Sequence, residues 1–332
     1  MAAFCFGYGL YVWMNGGTPD RLTAGPVVFF LGSICVALFT PAATIIRQII
    51  GRYTTAEKYL LPAVGYFFAL GTIVCGGVIM ANHGASSVVA GHVICGLGLI
   101  TACVSTAATS STKFSLIPKN SADASMSVNH AGFSRSGERA LIAVTTIIAA
   151  IAWVWAIALI AWADDAPHIV AGCVMGGIAC VCTSLIALVG SIARQVRGDY
   201  SLGERKVWPW VPVVMGFIAF IAGLYMIFSH WGQTIDFVGF VLIGLALICW
   251  SISSKVILLA KIWHREYALA SRIPIIPIIT ALTCMFLAAF LFEEALYKPK
   301  FFVPSRVLMG FGAICFTLYS IVSILESGAK SK

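Results

Sequence analysis

Apolar runs long enough to cross a bilayer follow one another along almost the whole chain, and no other feature constrains it as strongly. A helix of about 20 apolar residues spans the hydrocarbon core, and inside that core only helices and closed barrels satisfy their own backbone. The runs place spans at 2–16, 25–47, 59–81, 89–112, 141–163, 168–193, 209–231, 235–260, 274–296 and 303–325. Pro62, Pro212 and Pro274 then fall in the first turns of their helices, where a missing N–H costs little. Composition agrees: 60% of the 332 residues are hydrophobic and 10% charged, with a mean hydropathy of +0.96. A soluble domain is nearer half apolar and a quarter charged. The expected fold class is an all-α polytopic membrane protein of ten helices, one integral membrane domain over 1–332.

The spans carry an internal repeat. Small residues at Gly25, Gly91, Gly172, Gly239 and Ser305 are spaced by 66, 81, 67 and 66 residues. Seven positions after these anchors stand Gly32, Gly98, Ala179, Ala246 and Gly312. Ten after stand Cys35, Thr101, Cys182, Cys249 and Cys315, and twenty-two after stand Arg47, Lys113, Arg194, Lys261 and Ser327. The expectation is five tandem two-helix units, at 1–52, 53–113, 139–197, 205–265 and 272–328. The long interval comes from a hydrophilic segment, 114–138, read as a solvated cytoplasmic loop with a partner-binding role as the alternative. The first unit has less chain before its anchor than the others, so either the first helix is short or the natural chain starts about ten residues earlier, and the second is expected. Each unit has two spans, so all five share one orientation and are related by rotation about the membrane normal. Five equivalent hairpins can close into a pseudo-fivefold ring or form an arc.

The formal net charge is +8. Without an aromatic-interleaved basic patch it does not point to nucleic acid. Lys and Arg gather on one side: sixteen lie after the even helices or at the C-terminus, against Arg21, Lys298, Lys300 and Arg306 on the other side. The positive-inside rule then puts both termini in the cytoplasm. All eleven cysteines lie in apolar segments and read as small packing residues. No metal site and no cofactor are expected, and no enzyme motif occurs.

Four constellations are candidates for function. The first is a small-polar stripe twelve and fifteen residues after the anchors: Cys103, Ser184, Ser251 and Thr317, with Thr40, Thr106, Ser254 and Ser320. It either lines a polar cavity or lets helices pack closely. The second is Lys255, an ionisable group inside a span. It is a functional-site hypothesis by default, unless it snorkels to the headgroups. Ser251 and Ser254 are placed to bond an anion beside it. The third is a basic cytoplasmic ring of Arg47, Lys113, Arg194 and Lys261, which attracts anions or acidic headgroups or simply records topology. Histidines of the opposite side, among them His92, His168 and His230, are the fourth and are candidates for pH sensing.

The runs TPAATIIRQI (40–49), STAATSSTKFSLIP (105–118), CTSLIALVGSIARQVR (182–197), SISSKVILLAKIW (251–263), RIPIIPIITALTCMFLAAFLFEEA (272–295) and GAICFTLYSIVSILESG (312–328) resemble the YhiM-type inner-membrane protein family of enteric and related bacteria. The likeness covers nearly the whole chain. The family's A-G-H-V pattern stands at 90–93, while the equivalents of His92 in the first and third units are Pro26 and Cys173. The resemblance implies an inner-membrane location and an association with survival under acid and envelope stress. It implies no chemistry and no catalytic residue. Two functions are therefore expected: a channel or transporter for a small solute or ion, or a non-transporting protein that binds lipid or a partner. Membrane lipids are partners under both readings, and the oligomeric state stays open.

Overall fold

The computed structural model describes residues 1–17, 20–49, 52–82, 84–112, 134–163, 165–197, 200–229, 235–263 and 273–330. The hydrophilic segment from 113 to 133, with Lys113, lies outside the described residues, as does His230.

Among the described residues the regular elements are helices. They are α1 (Ala2–Asn15), α2 (Gly25–Ile49), α3 (Thr55–Met80), α4 (Ala85–Ser111), α5 (Arg135–Ala161) and α6 (Ala166–Arg197), followed by the short α7 (Leu202–Val207). Then come α8 (Trp210–Ser229), α9 (Phe237–Trp263), α10 (Ile275–Ala295) and α11 (Phe302–Lys330). A π-helical turn, Asp20–Ala24, leads into α2, and a 3-10 turn, Pro299–Phe301, leads into α11.

Ten of these helices match the expected runs, and nine stretches among the described residues are long and apolar enough to cross a membrane. The exception is α1, whose 14 residues fall short of the about 20 that a span needs. One boundary differs from expectation for a clear reason. Thr54 and Glu57 form a capping box: Thr54 N–H donates to Glu57 Oε2 at 2.9 Å and Glu57 N–H donates to Thr54 Oγ1 at 3.3 Å. This starts α3 at Thr55, so Pro62 stands well inside the helix and not in its first turn. Pro41 likewise lies within α2. Its ring removes the bond that the Ala37 carbonyl would accept, and Thr40 Oγ1 supplies the replacement at 2.8 Å.

Successive long helices pair as hairpins: α1 on α2, α3 on α4, α5 on α6, α8 on α9 and α10 on α11. The anchor residues make these pairings possible. A Cβ on Gly91 would lie 2.6 Å from Met80 Cβ, and one on Gly239 would lie 2.5 Å from the Gly223 carbonyl oxygen. The glycines seven positions on meet the same partners, Gly98 against Ile73 and Gly312 against Met285. The anchor stripe is thus the seam between the two helices of a hairpin, the close backbone approach typical of small residues in membranes.

The second helix of each hairpin is internal. The apolar windows of α2, α4, α6, α9 and α11 are 61–83% buried, against 22–33% for α3, α5, the α7–α8 stretch and α10. These internal helices also touch one another in order: α2 on α4, α4 on α6, α6 on α9, α9 on α11, and α11 back on α2. Four of the five junctions use one device. Gly96, Gly177, Gly244 and Gly310, each five residues after an anchor, leave room for Ile178, Leu245, Phe311 and Leu31 of the next helix. A Cβ at any of them would approach that side chain to 2.4–2.7 Å. At the α2–α4 junction the same position is Phe30, and the interlock is absent.

Candidate functional site

The five internal helices surround a cavity of about 400 Å³ at their N-terminal ends. Its wall follows the spacing of the anchor residues. Val27, Val93, Val174, Val241 and Val307, each two residues after an anchor, all line it. Val89, Val170, Phe237 and Val303, two before, form the layer nearer the mouth, and Leu97, Ile178, Leu245 and Phe311, six after, form the deeper one. Polar groups occur only towards the opening, where Thr23, Ser86 and Lys300 join the wall. Lys300 Nζ pairs with Asp236 Oδ2 at 2.6 Å, with Asp236 nearly buried. Such a surface excludes ions and accepts an apolar body of a few dozen atoms at most.

The apolar layers continue below the cavity at a 3–4 spacing, the seam of helices packed around a common axis. Nine after the anchors stand Ile34, Ile100, Val181, Ile248 and Ile314, and thirteen after stand Leu38, Val104, Leu185, Ile252 and Leu318, all buried. The next layer, sixteen after, is Pro41, Ala107, Leu188, Lys255 and Ile321. Lys255 is therefore on the axial register and fully buried, and its Nζ has no hydrogen-bond partner among the described residues. Two glutamines, twenty-three residues after their anchors, share this column: Gln48 and Gln195. Neither the glutamines nor the valine layer was singled out from sequence. The valines carried a legible signal, one residue type at one offset in all five units; the glutamines occur in only two.

The small-polar stripe sits beside this axis. Thr40, Thr106, Ser184, Ser251, Ser254 and Cys103 are fully or almost fully buried. Their hydroxyls bond within the protein: Ser184 Oγ donates to the Cys180 carbonyl at 2.8 Å, Ser254 Oγ to Ser251 at 2.6 Å, and Thr106 Oγ1 to Ala102 at 3.0 Å. Several members face other helices. Ser251 Oγ lies 2.5 Å from Thr280 Oγ1 of α10, Thr106 Oγ1 lies 3.3 Å from the Tyr66 hydroxyl of α3, and Thr317 Oγ1 lies 3.6 Å from Cys35 Sγ of α2. Ser320 is partly exposed and donates to the Phe316 carbonyl.

The basic positions act as ties at the other end of the bundle. Arg47 Nε lies 2.8 Å from Glu57 Oε1 of α3. Arg194 Nε lies 2.9 Å from Glu138 Oε1 of α5 and 3.5 Å from Glu204 Oε1 of α7. A cleft of about 650 Å³ opens beside Arg194, Arg135 and Arg139, with Ile142 and Ile147 on its apolar side. Lys261 is half-buried.

His92 and His168 come together from different hairpins, ring centres 6.1 Å apart, with the Trp155 ring centre 5.6 Å from that of His92 in an edge-on arrangement. His92 is buried and its Nδ1 makes no hydrogen bond. His168 Nδ1 bonds Asp165 Oδ1. Hydrogen bonds from the ring and from the His168 backbone hold the Asp165 carboxyl below the usual carboxylate range.

Nine membrane-length apolar stretches among the described residues, packed around an apolar, interlocked centre, define a multi-pass helical membrane protein. The DUF2776 family, described as proteins of unknown function, matches residues 1–330, and the chain belongs to it. Inner membrane protein YhiM of Escherichia coli (strain K12) is 42% identical over 335 residues, covering 100% of this chain and 96% of that protein. Together these make the chain an inner-membrane protein. No solved structure matches it.

Proposed function

We propose that this chain is a non-enzymatic inner-membrane protein whose axial cavity holds an apolar ligand, a lipid acyl chain or a small apolar solute. One observation carries the reading: the 400 Å³ cavity on the axis is walled by aliphatic layers, beginning with five equivalent valines. A conduit for a hydrated ion needs polar atoms along its wall, and here they appear only at the mouth. In this reading the five hairpins are tandem repeats in a pseudo-fivefold ring. Both termini are cytoplasmic, so the cavity opens outward. The association with acid and envelope stress then comes through the envelope lipids or solutes that the cavity samples. A gated pathway for a solute is the second reading. It is favoured by Lys255 beneath the apolar layers, which would serve as a dewetting gate.

The test is photo-crosslinking of purified protein with a diazirine-bearing fatty acid, mapped by mass spectrometry. Labelling is expected around Val93, Val241 and Val303, and Val241→Trp, which fills the cavity, is expected to reduce it several-fold. Labelling confined to the exposed faces of α3 and α10, around Phe67 and Phe286, contradicts the proposal. Complementation of a deletion strain under acid stress by Val241→Trp then links cavity to phenotype: full rescue separates the two.

A further inference from the structure

Beneath the apolar layers lie buried polar atoms that nothing in the described structure satisfies. Lys255 and Gln195 are fully buried; Lys255 Nζ and both amide atoms of Gln195 lack a hydrogen-bond partner. Gln48 is 6% exposed, donates from Nε2 to the Ser111 carbonyl at 3.0 Å, and leaves Oε1 unused. The three residues belong to α9, α6 and α2. Lys255 is sixteen residues past its anchor and the glutamines are twenty-three past theirs, so they stand in the heptad column whose first member lines the cavity on every internal helix. One heptad is about 10 Å of helix rise, a gap that an extended four-carbon lysine stem and a glutamine side chain can together narrow to the width of one small ion.

A lone ammonium in this setting is costly, and buried charges are normally paired. No carboxylate among the described residues pairs with Lys255. Those nearest this end are Glu57, which holds Arg47, Glu138 and Glu204, which hold Arg194, and Glu326 of α11, buried and with an interaction of its own that does not involve Lys255. Ser254 spends its proton on the Ser251 carbonyl, and Ser251 lies against Thr280, which donates to Pro277. The missing counter-charge is therefore not supplied by these neighbours. The Gln195 amide offers an N–H donor suited to a negative atom. Helix C-terminal dipoles, which oppose an anion, act within the last turn; Lys255 lies two turns inside α9, while Gln195 lies in the last turn of α6, so the charge that holds the anion is the lysine's.

We propose that Lys255 and Gln195 bind a small inorganic anion of chloride's size on the axis of the bundle. The apolar layers above and the Ala107 and Leu188 side chains at the same level limit the ligand to one or a few atoms. The site is separate from the apolar cavity and does not depend on what that cavity holds.

The experiment is thermal unfolding of the purified full chain in detergent, with chloride exchanged for gluconate at constant ionic strength. Wild type is expected to gain stability along a saturable chloride curve. Lys255→Met is expected to give a flat response, and Gln195→Leu to need several-fold more chloride for half the effect. Identical curves for the two anions in wild type, or a Lys255→Met response equal to wild type, overturn the proposal. Should Lys255→Met fail to fold, chloride NMR line broadening decides. Broadening by wild type that weakens several-fold with Gln195→Leu upholds the site, and an unbroadened line overturns it.

Discussion

Gly239 shows how much a single atom governs here. Its missing Cβ lets the backbones of α8 and α9 approach until Gly223 and Gly239 face each other's carbonyl oxygens. Gly239→Ala forces two helices apart, and overpacking of this kind costs about 1–3 kcal/mol. The check is thermal or denaturant unfolding in a fixed detergent; a variant as stable as wild type would mean the seam is looser than described. Tyr200, outside the spans, offers a pH handle. Burial, reinforced by the Glu204 charge, pushes its phenol up to about 12. The folded state thus binds the proton more tightly than the unfolded chain, whose phenol titrates near the ordinary 10.0. That stabilisation is complete below pH 10.0 and disappears as pH rises towards about 12. Tyr200→Phe is expected to flatten the alkaline limb of the stability curve while leaving neutral stability nearly unchanged. Lys255 was visible in the sequence because a charge in an apolar run stands out. Gln195 was not, because a glutamine near a helix end looks like ordinary interfacial chain until its burial is known.

Hairpins are the units that the sequence made legible. A seven-residue beat of glycine and alanine is the imprint of two helices in close contact, and the structure puts the anchor beat on the seam within each hairpin. The basic beat near the helix ends marked real positions, but the partners of Arg47 and Arg194 are acids on neighbouring helices, a pairing no spacing rule reveals. Glu138 is nearly buried, and its carboxylate ties α5 to Arg194 of α6. Glu138→Gln is expected to cost about 1–3 kcal/mol by leaving a guanidinium poorly matched, with most of the loss appearing as separation of α5 from α6. Hydrogen exchange along α5 reports it: faster exchange near Arg135–Ala143 and unchanged rates in α10 are the expected pattern.

At the scale of the molecule the order of contacts matters most. A polar stripe suggested a wet centre, because hydroxyls at two fixed offsets fall on one side of a helix. The side that faces the axis is one position further round, and apart from Lys255 the residues there are apolar, valine, leucine and isoleucine foremost. A rotation of about 100° per residue separates the two readings, and sequence periodicity does not choose which stripe faces inward. The axial cavity depends on α11 returning to α2, and Thr317 and Cys35 mark that junction. In a chain retaining only Cys35 and carrying Thr317→Cys, with a protease site in the 114–133 segment, a short bis-methanethiosulfonate reagent should join the first and last hairpins through disulfides. After cleavage the two halves are expected to migrate together until reduced. Cys103 and Cys182, adjacent on α4 and α6, span the same cut and serve as the control for an intact fold. Halves that separate in the Cys35 and Thr317→Cys chain, while the control pair still links them, would mean an open arc and would contradict an enclosed axial cavity.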